Sequence, residues 1–490
     1  MIYVNLVGHH FNYEINELIK VFFFGEEIVF IDNIDEYTIG ILVVNKLIDC
    51  SSNIESCIWV YKDGNLIHQS SIKNIEKIKV DKGNIRKKIR IGIKQNFYEA
   101  LSNIAKVKAP WGILTGIRPV KIVHNLLDEG LEDNEILNIL TKEYKLYSQK
   151  AELILDIGKE QRQYLYPLDR DRFSLYISIP FCPTRCLYCS FPSLSIKKYE
   201  HLVEDYVDKL IYEINRIGEL MKNKTISTVY IGGGTPSAIS PKYLEKIIQA
   251  IYKNFPRGSI QELTVEAGRP DTIDIQMLKM LNRNNVERIS INPQTMNDST
   301  LKLIGRQHSS QDIIKTYIMA GEIGFTVINM DLIVGLPSEG VDDIKKTLNK
   351  IKELDPENLT VHTLSVKRGS KFIRTMDKYQ VKDQNIIEKM LNETKNFAVE
   401  MNLLPYYLYR QKQIMGNFEN IGYAKKGKEC IYNIKMMEEK ETIIGLGMGA
   451  VSKIYFPKED RIKRVPNVKS LEEYLKRVEE MVERKARILS

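Results

Sequence analysis

Six short runs rich in β-branched residues recur through the later part of the chain, and longer amphipathic stretches separate them. The runs are residues 174–179, 227–231, 262–266, 287–291, 326–334 and 358–364. Within the stretch 198–222, apolar residues return at helical spacing, which predicts a helix with one buried face. Strands that alternate with helices in this way favour a parallel sheet, since parallel strands need a crossover connection. The pattern therefore predicts an α/β fold, a partial (β/α)6 barrel of the TIM type.

The first part of the chain has a different pattern, with shorter strand-like runs and a hairpin signal at residues 62–65. We expect residues 1–105 to form a separate α/β domain, whose role the sequence does not indicate. Residues 106–170 are mainly helical in pattern and predict a bridge. The barrel is expected over residues 171–455, and residues 456–490 are expected to form a C-terminal helical tail.

Composition narrows the class of protein without selecting a function. The chain has 490 residues, 43% of them hydrophobic and 27% charged, which is typical of soluble globular proteins. No apolar run approaches the ~18 residues that a membrane-spanning helix needs, and the first residues lack a secretory pattern. We therefore expect a cytoplasmic protein. The net charge of +8 suits a polyanionic small molecule or a nucleic acid and selects neither.

The cysteines give the strongest chemical signal. Three of the six crowd into one loop after the first barrel strand, as Cys182, Cys186 and Cys189. Thiolates hold iron–sulfur clusters, and three local cysteines leave one iron of a cubane open, as catalytic metal sites require. A zinc site would need a fourth ligand, usually from a second paired motif, and the sequence has none. The remaining cysteines are isolated and are expected to be small buried hydrophobes, namely Cys50, Cys57 and Cys430.

The spacing C-x3-C-x2-C after a first strand resembles that of the radical S-adenosylmethionine (AdoMet) superfamily. The resemblance implies two cofactors, a [4Fe–4S] cluster and S-adenosyl-L-methionine. In that superfamily the open iron chelates the amino and carboxylate groups of AdoMet, and one electron cleaves the cofactor to methionine and a 5′-deoxyadenosyl radical. The sequence singles out no residue as a catalytic acid or base.

Further motifs follow the strands at the end where parallel barrels place their chemistry. Glycines after the second strand permit close backbone approach, and the segment resembles the family's GGGTP motif. The resemblance implies that Gly233, Gly234 and Thr235 meet the AdoMet amino group. Glu266 ends the third strand, where a carboxylate can accept hydrogen bonds from ribose hydroxyls.

The later motifs R-I-S-I-N-P-Q-T-M-N-D, G-R-Q-H and N-M-D-L-I-V-G-L-P resemble family patterns in the same order. They carry Gln294, Arg306 and Asp331, and the guanidinium of Arg306 can grip a carboxylate through two parallel bonds. Tyr188, between two cysteines, is expected to pack on the adenine. Tyr176, in the strand before the cysteine loop, is a further expected cofactor contact.

The string from Tyr176 to Cys182, with GGGTP and DLIVGLP, resembles the oxygen-independent coproporphyrinogen III oxidase branch. Residues 405–453 and 111–119 resemble its HemZ-type, or coproporphyrinogen dehydrogenase, members. The resemblance implies oxidative decarboxylation of two propionates of coproporphyrinogen III to vinyls, giving protoporphyrinogen IX, with reduced flavodoxin or ferredoxin as electron donor. The four carboxylates of this substrate need cations, for which the candidates are Arg185, Lys367, Arg368 and Arg410.

Departures from the family pattern keep other functions open. Ser178 stands where the oxidases commonly have histidine, and Phe191 stands where some members have another cysteine. These changes bear on the porphyrin pocket and on a second AdoMet site. One alternative is a haem-binding chaperone, and another is a radical enzyme acting on a different substrate. A haem chaperone would need an exposed ligand, for which the histidine candidates are His9, His10, His201, His308 and His362.

A basic run at residues 85–90 raises the possibility of a nucleic-acid partner. Isoleucines at 85, 89, 91 and 93 suggest a strand with one wet, charged face. Few aromatic residues accompany the charges, so a solvated face is the favoured interpretation, and neither a nucleic acid nor a membrane is an expected partner.

Overall fold

The computed structural model describes residues 1–50, 53–76, 82–365, 370, 372, 384–411 and 418–489. They form two compact units. The first unit consists of Met1–Gly158 with Arg410–Phe418, and the second consists of Lys159–Tyr409 with Glu419–Ser490.

The first unit contains a mixed five-stranded sheet of order β2-β1-β3-β4-β5. Its strands are β1 (Ile2–Val7), β2 (Ile28–Phe30), β3 (Ile41–Asp49), β4 (Asn53–Lys62) and β5 (Asn65–Glu76). β1 is parallel to β2 and β3, and the other pairs are antiparallel. The hairpin signal is confirmed, because Asp63 and Gly64 join β4 to β5 with φ of 50° and 83°, as a primed turn requires.

The helices of the first unit correct the interpretation of the basic run. They are α1 (Asn12–Phe22), α2 (Lys82–Ala105), α3 (Val120–Asp128), α4 (Asp133–Asn138), a π-helical turn (Ile139–Glu143) and the start of α5 (Ser148–Leu165). Residues 85–90 lie in α2, so the expected strand is wrong. Ile89, Ile93 and Phe97 recur every four residues, and their face packs into the core between α1 and the sheet.

The second unit is organised around an eleven-stranded sheet of order β14-β15-β13-β12-β11-β10-β9-β6-β16-β17-β18. Its strands, with the small pair β7 and β8, are β6 (Arg172–Ile179), β7 (Phe181–Cys182), β8 (Leu194–Ser195), β9 (Thr225–Gly233), β10 (Glu262–Gly268), β11 (Arg288–Ile291), β12 (Ile328–Val334), β13 (Asn358–Thr363), β14 (Leu404–Arg410), β15 (Glu419–Ala424), β16 (Thr442–Leu446), β17 (Val451–Phe456) and β18 (Arg461–Pro466). β6 and β9 to β13 are parallel neighbours, which confirms the six strands expected from the sequence.

Helices follow these strands along the chain. They are α6 (Ile196–Tyr199), α7 (Val203–Leu220), α8 (Pro241–Asn254), α9 (Ile275–Arg283), α10 (Asp298–Leu303), α11 (Ser310–Ile323), α12 (Val341–Leu354), α13 (Gln384–Glu400), α14 (Ile431–Glu438) and α15 (Leu471–Leu489). The amphipathic pattern in residues 198–222 is confirmed in α7, whose apolar face is buried.

Two features of the sheet go beyond the expected barrel. β16 adds a parallel strand beside β6, and β15 adds an antiparallel strand beside β13. Residues 456–490 are not helical throughout, because β18 turns back and pairs with β17 before α15 begins. α15 itself is interrupted at Arg477, whose φ of −121° is not helical.

The parallel strands divide their side chains between two faces, which sets the position of the site. On β6, Leu175 and Ile177 are completely buried on one face. The intervening Tyr176 points to the other face, where it pairs in register with Tyr230 of β9. This second face carries tyrosines and acids toward the carboxyl ends of the strands.

Candidate active site

The cysteine loop leaves the end of β6 and is fastened on both sides by backbone hydrogen bonds. The N–H of Gly234 donates to the Ile179 carbonyl over 2.7 Å, and the N–H of Thr235 donates to the Phe181 carbonyl over 2.8 Å. Further along, the N–H of Leu187 donates to the Ile304 carbonyl over 2.9 Å. The loop is therefore held between the glycine segment after β9 and the end of α10.

The three thiols are close enough to influence one another. Burial raises the pKa of the Cys182 thiol to about 11, and the Cys189 and Cys186 thiols add to that increase. Cys182 and Cys186 are buried, and Cys189 is half-buried. Over the described ranges no three His, Cys, Asp or Glu side chains surround a single ion position. A cubane takes one thiolate at each of three irons, and three neighbouring thiols in one loop are the donor set that such a [4Fe–4S] cluster needs.

The glycine segment allows the end of β9 to lie directly against the cysteine loop. A Cβ on Gly234 would lie 2.7 Å from the Phe181 carbonyl oxygen and 3.0 Å from the Cys182 sulfur. Gly233 has φ of 112°, which other residues rarely adopt. The hydroxyl of Thr235 lies 3.3 Å from the Cys182 sulfur. The GGGTP segment is thus a structural requirement of the cysteine loop as well as an expected cofactor contact.

Glu266 lies at the end of β10 against a cluster of tyrosine rings. The Tyr230 hydroxyl donates to its carboxylate over 2.5 Å. The Tyr230 ring stacks on Tyr432 of α14 at 4.5 Å, and both stack near Tyr176 at 6.4 and 6.3 Å. Burial raises the pKa of Glu266 to about 7, and the charge of Asp331 adds to that increase. The carboxyl group is therefore shielded from water on its tyrosine side and remains a hydrogen-bond acceptor.

Arg306 presents a buried cation beside the cysteine loop. Its Nη1 donates to the Asn292 carbonyl over 2.5 Å, and its Nη2 donates to the Tyr188 hydroxyl over 3.2 Å. Its Nε and the Asn292 side-chain oxygen have no hydrogen-bond partner among the described residues. Buried polar atoms are ordinarily paired, so the Arg306 Nε fits an anionic group of a bound molecule, and the Asn292 oxygen fits a hydrogen-bond donor.

Gln294 and Asp331 are joined through the backbone. The N–H of Gln294 donates to the Asp331 carbonyl over 2.8 Å, and the N–H of Ile333 donates back to Gln294 over 3.0 Å. These bonds hold Gln294 at φ of 66°, a strained conformation for a side chain of this kind. Burial alone would raise the pKa of Asp331, but hydrogen bonds from His362 and Asn329 outweigh it and hold that pKa below its usual range.

The structure brings the expected residues together in three neighbouring groups at the carboxyl ends of the strands. The first group is Tyr176, Gly233, Gly234, Thr235 and Glu266 with Cys182. The second is Tyr188 and Arg306 with Cys186 and Cys189, and the third is Gln294 and Asp331. Glu266 links the first and third groups, since the charge of Asp331 raises its pKa.

Several residues of this region were missed by the sequence analysis. Tyr230 faces Tyr176 in register, and the β-strand alternation could have identified it. Tyr432 arrives from α14, and no local pattern signals it. The Nε2 of His362 lies 3.7 Å from an Asp331 carboxylate oxygen, and its Nδ1 lies 3.1 Å from the Tyr409 hydroxyl. Arg269 follows β10 and reaches the cysteine loop, where its Nη1 lies 4.0 Å from the Cys186 sulfur.

Of the four candidate cations for the substrate carboxylates, the structure describes two, Arg185 and Arg410. Lys367 and Arg368 lie outside the described residues. Arg185 is exposed in the cysteine loop. The expectation that Arg410 binds a substrate carboxylate is wrong. Its guanidinium is buried in the first unit, where it lies 4.8 Å from the centre of the Trp111 ring and donates to the Leu114 carbonyl. This cation holds the loop that follows α2 in the chain and is not available to bind a carboxylate.

Comparison with known proteins identifies the family. Residues 176–351 match the Radical SAM superfamily. The chain is 40% identical over 408 residues to the oxygen-independent coproporphyrinogen-III oxidase-like protein HemZ of Bacillus subtilis, covering 82% of this chain and 81% of that protein. The chain belongs to the HemZ family of radical SAM proteins. Radical SAM proteins use a [4Fe–4S] cluster and AdoMet, so the expected cofactors are confirmed.

Other relatives of this HemZ family member differ in their stated roles. The heme chaperone HemW of Bacillus subtilis is 31% identical over 279 residues, covering 56% of this chain and 70% of that protein. Coproporphyrinogen III oxidase HemN from Escherichia coli, described as a radical SAM enzyme, matches with a TM-score of 0.53 and 23% identity over 66% of this chain and 73% of that one. The structural likeness to HemN confirms the expected fold.

In the part of the chain that the structure describes, no helix has both the length and the apolar character to cross a membrane.

Proposed function

We propose that this protein is a radical SAM oxidoreductase that converts two propionate side chains of coproporphyrinogen III to vinyl groups, giving protoporphyrinogen IX. The observation that carries the proposal is the cysteine loop fastened to the glycine segment after β9 and lying beside Arg306, in a chain related to HemZ over most of its length. We further propose that it acts in the cytoplasm and receives electrons from reduced flavodoxin or ferredoxin.

Each group at the strand ends has a proposed part in holding the cofactors. Cys182, Cys186 and Cys189 would each bind one iron. When bound, the cluster and AdoMet supply a 5′-deoxyadenosyl radical, after one electron has cleaved the sulfonium. Arg306 would bind the methionine carboxylate, and the backbone of the Gly233–Thr235 segment would meet the amino group. The remaining contacts proposed for AdoMet come from Tyr176, Tyr188, Glu266, Gln294 and Asp331.

The surroundings of the site suit a radical reaction. Tyr230, Tyr432 and Tyr176 stack beneath Glu266, which excludes water from that side. For each propionate, a hydrogen atom would pass from the methylene carbon attached to the pyrrole ring to the adenosyl radical, giving 5′-deoxyadenosine. The neighbouring carbon would then lose its carboxylate as carbon dioxide, and one further electron would pass to a one-electron acceptor. The net change is a two-electron oxidation of each side chain.

An anaerobic assay tests this function directly. The reconstituted protein is given AdoMet, a chemical reductant and coproporphyrinogen III, and we expect both 5′-deoxyadenosine and vinyl-bearing product. Cys186→Ala should abolish both products. Cys430→Ala is the matched control, because Cys430 is a buried cysteine that immediately precedes α14 and is not part of the cysteine loop. Deoxyadenosine without a vinyl product would instead indicate another substrate.

A second candidate function is that of a haem chaperone, which the relation to HemW favours. Of the five histidines considered as haem ligands, His9 and His308 are buried, and His362 has a polar partner at each ring nitrogen. His10 and His201 are exposed. Stoichiometric haem uptake that is lost in His201→Ala or His10→Ala, with no deoxyadenosine formed, would support the chaperone and contradict the oxidoreductase.

A further inference from the structure

Arg269 is a buried cation with contacts that none of the expected cofactor roles explains. It follows β10 directly and is only 3% exposed. Its Nη1 donates to the Thr184 hydroxyl over 2.8 Å and to the Thr184 carbonyl over 3.2 Å. The same nitrogen lies 4.0 Å from the Cys186 sulfur. One guanidinium edge is therefore directed at the centre of the cysteine loop.

The opposite edge of Arg269 is held by an acid. Nε and Nη2 donate to the two carboxylate oxygens of Asp271 over 3.0 and 2.6 Å. Asp271 also lies 3.1 Å from His308 Nδ1, so the acid is fixed in turn. Burial opposes ionisation of Asp271, but the bonds from His308 and Arg269 outweigh it, so its pKa lies below the usual range. This two-sided grip fixes the direction of the Nη1 donor.

A charge-assisted donor beside a cluster thiolate has a definite physical effect. Reduction places additional negative charge on the cluster and its sulfurs. Hydrogen bonds to those sulfurs stabilise the reduced form and raise the reduction potential. Arg306 also lies near Cys186, but its other bonds tie it to Tyr188 and Asn292. Arg269 is the arginine that bonds the loop backbone itself.

We propose that Arg269 is a positioning residue for the iron–sulfur cluster, which fastens the cysteine loop at Thr184 and, through its donor to the Cys186 sulfur, raises the reduction potential of the cluster. The inference rests on the cluster assignment and is independent of the porphyrinogen substrate. It predicts that this arginine makes the first electron transfer easier, whichever molecule the radical then attacks.

The test is a potentiometric titration of reconstituted protein without AdoMet, followed by electron paramagnetic resonance, with iron content measured on the same samples. In Arg269→Gln we expect full iron content and about a tenfold smaller ratio of reduced to oxidised cluster at a fixed potential, equivalent to a fall of ~59 mV for one electron. Arg283→Gln is the matched control, because Arg283 is exposed and paired with Glu245. An unchanged potential in Arg269→Gln at full iron content would overturn the proposal.

Arg269→Lys provides a second test. This change keeps a positive charge beside Cys186 and loses the two-sided grip, so we expect a potential between those of the wild type and of Arg269→Gln. A residue that only folds the loop would give the same potential in both variants at full iron content. If both variants lost the cluster entirely, Arg269 would be a folding residue and the proposal would be overturned. Failure to make vinyl product in the wild-type protein would leave these potentials unaffected and would count against the proposed function alone.

Discussion

Adding one methyl group at Gly234 should damage the cluster site while leaving most of the fold intact. The Cβ of Gly234→Ala would lie 2.7 Å from the Phe181 carbonyl oxygen, 2.9 Å from the Pro180 carbonyl carbon and 3.0 Å from the Cys182 sulfur. Two of these neighbours are backbone atoms. They cannot move aside by changing a rotamer, so the segment that carries Cys182 must shift instead.

The structure sets the size of the effect. Backbone hydrogen bonds of 2.7 and 2.8 Å tie Gly234 to Ile179 and Thr235 to Phe181, so both sides of the contact are fixed. Overpacking by one methyl in such surroundings costs about 1–3 kcal/mol. If that energy opposes the placement of Cys182, the affinity for the cluster falls by about tenfold for each 1.4 kcal/mol.

Iron per chain and the visible absorbance of the cluster, measured after anaerobic reconstitution and a competing chelator, report this loss. Gly258→Ala is the matched control, because a Cβ there meets nothing within 4 Å. We expect Gly234→Ala to lose iron to the chelator far faster than wild type and Gly258→Ala to behave as wild type. Equal iron retention in both variants would refute the close-approach reasoning.

Three further predictions concern buried groups. Lys485→Met leaves the fully buried Glu213 without its cation, so urea denaturation should show a free energy of unfolding of the second unit that is lower by about 3–5 kcal/mol. Adding Glu213→Gln should restore part of this loss. A double variant at least as unstable as the sum of the two single variants would contradict the prediction. Gln294→Gly should be more stable than Gln294→Ala by about 1–2 kcal/mol, because glycine relieves the strain of the left-handed backbone conformation. Titration calorimetry should show weaker AdoMet binding in both variants. Equal stabilities of the two variants would rule out strain at this position. Because burial raises the pKa of Glu266 from 4.5 to about 7, the folded protein retains a proton that the unfolded chain releases in that interval. Stability should therefore fall as the pH rises through this window, by up to ~3 kcal/mol, and Glu266→Gln should remove that part of the fall; a parallel pH profile in the variant would show that Glu266 ionises normally.

The parallel strands were predictable because their signal is local. Each of the six runs is β-branched and bounded by helical patterns, so no distant information was needed. β16 (Thr442–Leu446) was missed because it is short and pairs with β6, far earlier in the chain. α2 was misassigned because isoleucines at 85, 89, 91 and 93 satisfy both a two-residue and a four-residue period, and only packing in the core decides between them.

The residues of the site were predictable where motifs follow strands, because the carboxyl ends of parallel strands meet at one edge of the sheet. Gly234, directly after β9, and Gln294, after β11, are examples. Arg269 was not predictable in this way, since an isolated arginine is ordinarily a surface or ion-pair residue and its contact with Thr184 depends on the tertiary fold. Tyr432 likewise reaches Tyr230 from a distant helix.

The central claim is that three thiolates hold a cluster with one iron free for AdoMet. Low-temperature electron paramagnetic resonance of the reduced, oxygen-free protein, recorded with and without AdoMet, tests it most directly. We predict a cluster signal that changes when AdoMet is added, and that is lost on replacing Cys182, Cys186 or Cys189 with alanine and retained in Cys430→Ala. A signal that ignores AdoMet, or that survives loss of any of the three cysteines, would contradict the account.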